Sequence, residues 1–209
     1  ENMARRKEGD RIVVLRDSNG DGKADKSHTF YQNPNLSAPL GIAVLDNKVV
    51  ISQPPELIVL TDVNRNLVFD EGIDKREVLL TGFNGRQHDH SLHSLTAGPD
   101  GKWYFNSGNC GAIFTDKSGK EFRMNTNYRG GTKKEFFYTP TDELGGAKSD
   151  DGFVWSAGFT VRMNPDGTDV EIIGHGYRNS YEQTINSLGE VFQSDNDDYS
   201  SCRNSYVLE

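Results

Sequence analysis

The chain has 209 residues, a net charge of −8 and a hydrophobic content of 34%. The acidic excess argues against a nucleic-acid partner, because phosphate binding needs a basic stripe. No apolar run approaches the roughly 18 residues of a membrane-spanning helix. The 22 glycines, among many Asn and Asp residues, indicate frequent turns rather than disorder.

The secondary-structure signal is almost entirely β-strand. Short runs rich in β-branched and aromatic residues are bounded by Gly, Pro, Asn and Asp, and no stretch keeps a helical period. The predicted strands include residues 12–15, 48–52, 57–60, 103–105 and 190–193. The sequence therefore predicts an all-β fold.

Two patterns repeat along the chain. The first is a hairpin of two apolar strands around a turn, at residues 41–52, 94–105 and 184–192. The second is a strand that ends in an Asp-led turn, at residues 14–17, 59–62, 113–116 and 162–166. A repeat of about 50 residues with two hairpins per unit is typical of a β-propeller blade. A β-sandwich with repeated turns is the alternative.

The repeat predicts one β-propeller domain over residues 1–209, with roughly four blade units. The last residues, Val207 to Glu209, resemble the middle of a strand. We therefore expect a propeller that is incomplete at its C-terminus and continues in a further chain segment. Residues 125–155 are polar and Gly-rich, break the rhythm, and are predicted to form an inserted loop.

The first acidic loop has the spacing of a calcium site. Oxygen-bearing side chains occupy its first, third, fifth and ninth positions, and Gly22 follows the fifth, where such a loop bends sharply. The predicted ligands are the side chains of Asp17, Asn19, Asp21 and Asp25 and the backbone carbonyl of Lys23. A solvated turn is the alternative.

A second loop repeats this spacing, without the glycine and with Arg65 inside it. Its predicted ligands are the side chains of Asp62, Asn64, Asn66 and Asp70 and the carbonyl of Val68. We expect calcium in these loops to brace hairpins and to have no catalytic role.

Three of the five histidines, His88, His90 and His93, lie within six positions just before the turn at residues 98–101. Imidazole exchanges protons near neutral pH and also binds metals, so the cluster indicates a functional site. A polar loop with a chance cluster is the alternative. If residues 88–90 were a strand, His88 and His90 would share one face, as metal ligands must.

Cys110 and Cys202 are the two cysteines of the chain. Neither lies in a CxxC or CxxCH motif, so the sequence encodes neither a zinc ribbon nor an attached haem. A disulfide between the two and two buried thiols are both compatible with the sequence.

The segment Gly176-Tyr177-Arg178-Asn179-Ser180 precedes a strand that leads into the acidic loop 193–198. Arg178 offers a fixed fork for an anionic group, and the loop offers oxygen ligands for a cation. A solvated arginine and an ordinary turn are the alternative.

These motifs resemble the soluble quinoprotein glucose and sorbosone dehydrogenases, and most of all a planctomycete-type subgroup of membrane-bound dehydrogenases. The family has an Asp-His pair before a Gly-Pro-Asp-Gly turn, as Asp89-His90 precedes residues 98–101 here. Its Gly-x-Arg-Asn-Pro segment resembles residues 176–180, with Ser180 in place of proline. The loop 193–198 lacks the Gly-Pro that the family has at its calcium site.

The resemblance implies a six-bladed propeller that uses pyrroloquinoline quinone (PQQ) and Ca²⁺ to oxidise a sugar or an alcohol. His90 would be the general base and Arg178 would stabilise developing negative charge. The implied cofactor and calcium ligands are Asn179, Gln193, Asp195 and Asp197. The resemblance also implies a c-type cytochrome as electron acceptor. Calcium loops fit a periplasmic or extracellular location, with membrane association through another segment.

Two other functions remain open at the level of sequence. In the first, His88, His90, His93 and His175 bind zinc or iron, and the protein is a propeller hydrolase or lactonase. In the second, the protein is a calcium-braced propeller that binds a partner or a polysaccharide and catalyses no reaction.

Overall fold

The computed structural model describes residues 6–84, 88–126, 145–196 and 202–207, which form an all-β protein with a short 3₁₀ helix at His88–His90. The strands are β1 (Arg11–Arg16), β2 (Lys26–Gln32), β3 (Gly41–Leu45), β4 (Lys48–Gln53), β5 (Glu56–Thr61), β6 (Lys75–Thr81), β7 (Leu92–Ala97), β8 (Trp103–Ser107), β9 (Ala112–Thr115), β10 (Glu121–Asn125), β11 (Trp155–Ser156), β12 (Gly158–Met163), β13 (Glu171–Tyr177), β14 (Ser180–Ile185), β15 (Val191–Asp195) and β16 (Arg203–Val207). No helix in these ranges is long and apolar enough to cross a membrane.

The sheet of β3 to β6 is a four-stranded antiparallel meander in chain order. Its first hairpin turns at Asp46-Asn47, where Asp46 has a φ of 57°, and this confirms the hairpin predicted at residues 41–52. Its central strands β4 and β5 are buried on both faces, which their unbroken apolar runs allow.

The second four-stranded sheet has the order β7-β8-β12-β13, so strands distant in sequence pair at its centre. Phe105 of β8 lies opposite Val161 of β12. Between these two strands the chain forms a separate three-stranded sheet of β9, β10 and β11. The Asp-led turn at residues 113–116 belongs to this inserted sheet. It is therefore not one step of a regular repeat. The sequence could not show this, because the strand and turn residues at 113–116 resemble those of the other Asp-led turns.

The remaining strands form two smaller sheets, β1-β2 and β14-β15-β16. The first strands of three of the sheets are neighbours in space, since β3 lies against β7 and β7 lies against β14. The hairpins predicted at residues 94–105 and 184–192 are both present, as β7-β8 and β14-β15.

The apolar core fills the spaces between sheets. Phe105, Phe114, Phe122 and Phe159 are almost fully buried in the largest cluster, and Phe114 stacks on Phe122 with ring centroids 5.2 Å apart. A second cluster lies between the β1-β2 hairpin and the sheet of β3 to β6. A third, around Tyr104 and Val191, lies against the sheet of β14 to β16.

Part of the predicted inserted loop, residues 127–144, lies outside the described residues. Residues 145–154 contain no strand and lead into β11. Cys110 is buried, Cys202 is exposed, and no disulfide joins them.

Candidate functional site

The histidine segment does not begin as a strand. His88–His90 form the 3₁₀ helix, and β7 starts at Leu92. The shared face of His88 and His90 was expected for a strand over residues 88–90, and the backbone there is a 3₁₀ helix instead. Asp89 is exposed, whereas His90 is only 4% exposed.

His90 bonds to Asn109, which follows β8. The distance from His90 Nδ1 to Asn109 Oδ1 is 2.8 Å. Since an amide oxygen only accepts, Nδ1 carries the proton, and the neutral ring then has its lone pair on Nε2. This contact fixes one tautomer of His90.

His93 lies inside β7 and is fully buried. Its Nε2 donates to Asn179 Oδ1 at 2.7 Å, across 86 residues of sequence. Its ring stacks on Tyr181 of β14, with centroids 3.8 Å apart. The structure thus places His93, rather than His90, in contact with the Arg178-Asn179 pair.

The Arg178-Asn179 pair connects β13 to β14 and is held by Asp195. Both backbone N–H groups donate to the Asp195 carboxylate, that of Asn179 at 2.8 Å and that of Arg178 at 3.1 Å. The Arg178 guanidinium donates to Asn196 Oδ1 at 2.7 Å. The Arg203 guanidinium also reaches Asp195, at 3.4 Å.

The two halves of the site meet at Gly108-Asn109. The Asn109 N–H donates to the Arg178 carbonyl at 2.9 Å, while its side chain binds His90. A Cβ on Gly108 would lie 2.5 Å from the His90 carbonyl oxygen and 2.6 Å from Asn179 Oδ1. Only glycine allows this approach, so residue 108 determines how close His90 and Asn179 come.

A buried hydrogen-bond network next to the site connects β8, β12, β14 and β15. Thr160 Oγ1 lies 2.8 Å from both Asn106 Oδ1 and Gln193 Oε1, and Asn106 Nδ2 donates to Ser180 Oγ at 3.0 Å. Sequence reasoning missed Asn106, Asn109 and Thr160. The Asn106-Ser107-Gly108-Asn109 run could have indicated Asn106 and Asn109, since polar residues replace the apolar ones expected at a strand end.

Two of the predicted cofactor ligands have structural partners. Gln193 and Asp195 are 4% and 3% exposed, Gln193 is bonded to Thr160, and Asp195 holds the backbone of Arg178 and Asn179. Both side chains therefore have hydrogen-bond partners within the protein. The third predicted ligand, Asp197, lies outside the described residues.

The predicted calcium loop between β1 and β2 is closed by its own hydrogen bonds. Asp17 Oδ2 accepts the Gly22 N–H at 2.8 Å, and Asp25 binds the Ser18 hydroxyl at 2.6 Å. These bonds stabilise the ionised carboxylates and lower the pKa of both Asp17 and Asp25. Asn19 and Asp21 accept the N–H of Asp21 and Lys23.

The loop between β5 and β6 repeats this arrangement. Asp62 Oδ2 accepts the Leu67 N–H at 2.8 Å, and Asn64 and Asn66 accept the N–H groups of Asn66 and Val68. Asp70 accepts from the Asn64 and Asn66 side chains, which lowers its pKa. Arg65 turns outward to form a bidentate ion pair with Asp46.

Within the described ranges no three His, Cys, Asp or Glu side chains converge to hold a metal. His90 and His93 bind asparagine side chains, and His175 is exposed on β13, edge-on to Trp155. The described residues therefore give no support to a zinc or iron site built from these histidines.

Most of the chain matches the model of one protein family. Residues 1–157 match the model of a domain of unknown function, DUF7133. The chain belongs to the DUF7133 family. A search of the curated proteins finds no match.

The DUF7133 match includes half of the site. His90, His93, Gly108 and Asn109 lie inside the matched residues, whereas Arg178, Asn179 and Asp195 follow them. Contacts such as that of His93 with Asn179 therefore join the matched region to the rest of the chain.

Proposed function

We propose that this DUF7133 protein is a β-propeller dehydrogenase that oxidises a sugar or an alcohol with PQQ, and that His90 is its general base. The observation that carries the proposal is the hydrogen bond from His90 Nδ1 to Asn109, within a buried polar network that also holds Arg178 and Asn179. A buried imidazole held in one tautomer is the arrangement that a general base needs.

The sheet arrangement supports the propeller. In a propeller each blade begins with its innermost strand, and these strands surround the central axis. Here β3, β7 and β14 begin their sheets and lie at the sheet edges, and β7 neighbours both β3 and β14. The inserted sheet of β9 to β11 interrupts one blade without separating β8 from β12.

The donor chemistry near His90 suits an anionic cofactor. The backbone of Asn109 is bonded to that of Arg178, so the Arg178 cation and the amide groups of Asn109 and Asn179 belong to neighbouring segments. PQQ, when bound, would accept the hydride from the substrate carbon. The proton of the substrate hydroxyl would pass to Nε2 of His90, and Arg178 would stabilise the developing negative charge. Asn179 would orient the cofactor and is itself oriented by His93.

Calcium enters the proposal in the two hairpin loops, where it would bind the predicted oxygen ligands and brace the blades. No step of the proposed reaction uses the loop 193–198, since Gln193 and Asp195 serve the protein's own backbone and Thr160. A c-type cytochrome as electron acceptor and a periplasmic or extracellular location also belong to the proposal.

Dye reduction by the native-length protein, loaded with PQQ and calcium and supplied with sugars and alcohols, tests the proposal. Replacing His90 by alanine removes the base and should lower kcat by about 10²- to 10⁴-fold. The exposed His175→Ala variant is the matched control and should keep wild-type turnover. A His90→Ala variant with full activity would make the assignment wrong. A wild-type protein that reduces no dye would favour the binding propeller.

The Asn109 side chain should orient His90 for this reaction. Asn109→Leu removes the acceptor for His90 Nδ1, so the ring loses its fixed tautomer and kcat falls. Asn109→Asp restores an acceptor and should recover much of the kcat that Asn109→Leu loses. Equal kcat values for Asn109→Leu and wild type would show that Asn109 does not act through His90.

A further inference from the structure

The hairpin β1-β2 is a structural repeat of the hairpin β5-β6. In both, an Asp directly after the first strand accepts an N–H five residues later at 2.8 Å, from Gly22 in one and Leu67 in the other. The fourth and sixth loop positions have positive φ in both, 78° and 84° at Gly20 and Gly22, and 58° and 65° at Arg65 and Leu67. β1 is therefore the counterpart of β5.

The two counterparts differ in their neighbours. β5 pairs with β6 on one side and with β4 on the other. β1 pairs with β2, and along its other edge no strand of the described residues is bonded to it. A two-stranded sheet is marginally stable, and an open edge of this kind invites a further strand.

The next sheet is left partly uncovered beside this edge. Val49 and Ile51 of β4 are buried against the β1-β2 hairpin. Their cross-strand partners on β3, Val44 and Ile42, share that face yet are 68% and 52% exposed. The two-stranded sheet is too narrow to reach β3, and an apolar cavity of about 310 Å³ lies between β1 and β3.

The equivalent interface, one sheet further along the chain, is complete. There Leu92 and Leu95 of β7 are 0% and 5% exposed, in a cluster that includes Ala43, Leu45 and Val50 from the preceding sheet. The strands that cover β7 are thus β3 and β4. The described part of the sheet of β1 and β2 has no strands equivalent to this pair.

We propose that two further strands of the same protein, outside residues 1–209, complete the sheet of β1 and β2 and cover Ile42 and Val44. One strand would pair antiparallel with β1, as β4 pairs with β5, and both would turn apolar side chains into the cavity. A second copy of β1 in this place would set Arg11 opposite Arg16 of the other copy, and like charges directly opposite are unfavourable. The proposal does not depend on dehydrogenase chemistry.

Photo-crosslinking in the native-length protein identifies the occupant. A benzophenone amino acid replaces Val44, and the same substitution at Val63, which is exposed in the loop after β5, is the control. The proposal predicts that position 44 crosslinks to a peptide outside residues 1–209 at the mass of one chain, and that position 63 does not. A crosslink within residues 1–209, a crosslink to a second copy or to another protein, or no crosslink at position 44 would overturn it.

Stability gives an independent readout. If Val44 is covered, Val44→Asp should lower the Tm of the native-length protein by about 4–8 °C, whereas Val63→Asp should change it by less than about 2 °C. Val44→Thr keeps the shape of the side chain, so this variant should fold, with a Tm between those of Val44→Asp and Val63→Asp. Equal Tm values for the Asp variants at positions 44 and 63 would contradict a covered β3.

Discussion

Gly108 brings the His90 segment and Asn179 into contact. Gly108→Ala would place a Cβ 2.5 Å from the His90 carbonyl oxygen, and relief of this clash must move backbone. We expect a loss of about 1–3 kcal/mol in the free energy of unfolding, measured by urea denaturation.

Gly145→Ala is the control for this substitution, because no atom of the described residues lies within 4 Å of the added Cβ. Its free energy of unfolding should match or slightly exceed that of the wild type. If Gly108→Ala were as stable as Gly145→Ala, the close approach at the site would be wrong.

Tyr104 should give the protein an alkaline transition. Burial, with a hydrogen bond to Asp100 at 2.8 Å, raises the pKa of Tyr104 from 10.0 to about 12. The unfolded chain then loses this proton at lower pH than the folded chain. The contribution of Tyr104 to stability is complete below pH 10 and is lost between pH 10 and about 12.

Urea midpoints at about pH 9 and about pH 11 test this prediction. The wild type should lose more stability between these pH values than Tyr104→Phe, which has no phenolic proton at this position. A loss of equal size in the two proteins would show that Tyr104 does not cause the transition.

The residue scale is also where the sequence was least informative. The family resemblance implied His90 as the base and Arg178 as its partner in the reaction, whereas the side-chain contacts are His90 with Asn109 and His93 with Asn179. These pairs are 19 and 86 residues apart, and strand pairing, not local spacing, brings them together. The polar run at residues 106–109 marks Asn109 as unusual after a strand, but nothing local indicates that His90 is its partner.

At the scale of elements, the testable feature is calcium binding by the two predicted calcium loops, one between β1 and β2 and the other between β5 and β6. If calcium binds them, a free calcium concentration about 100-fold above Kd should stabilise the protein by about 2.7 kcal/mol, and chelation should reverse the effect. Thermal unfolding with and without calcium measures this. A Tm that is independent of calcium would show that the loops are hydrogen-bonded turns alone.

A variant pair assigns any calcium effect to the loop between β1 and β2. Asp21→Asn removes one negative oxygen from the predicted ligands and should weaken the response of Tm to calcium. Asp166→Asn changes a turn carboxylate outside both loops and should leave the response intact. If Asp166→Asn weakened the response as much as Asp21→Asn, the effect would not come from this loop.

Elements were predictable where their signals are local. The hairpins at residues 41–52, 94–105 and 184–192 follow from period-2 strands around turn residues, and the structure has all three. The inserted sheet was missed because β9 and its Asp116 turn have the same local chemistry as the other Asp-led hairpins. Its separate place depends on the pairing of Phe105 with Val161.

At the scale of the whole molecule, the all-β architecture followed from composition and turn spacing, whereas the order of strands within sheets did not. The local sequence is compatible with β9 pairing beside β8 in the same sheet. In the structure β8 pairs with β12 instead, and β9 lies in a different sheet. The proposed PQQ site would depend on the whole molecule in the same way, since its residues come from several sheets.

We propose that the native protein holds PQQ beside His90. The most direct measurement is mass spectrometry of the small molecules released by mild denaturation of native-length protein purified with calcium. We expect PQQ at about one equivalent per chain, and its loss from a folded His90→Ala, Asn179→Ala double variant. Wild-type protein that releases no quinone, and binds none when PQQ and calcium are added, would contradict the proposed function.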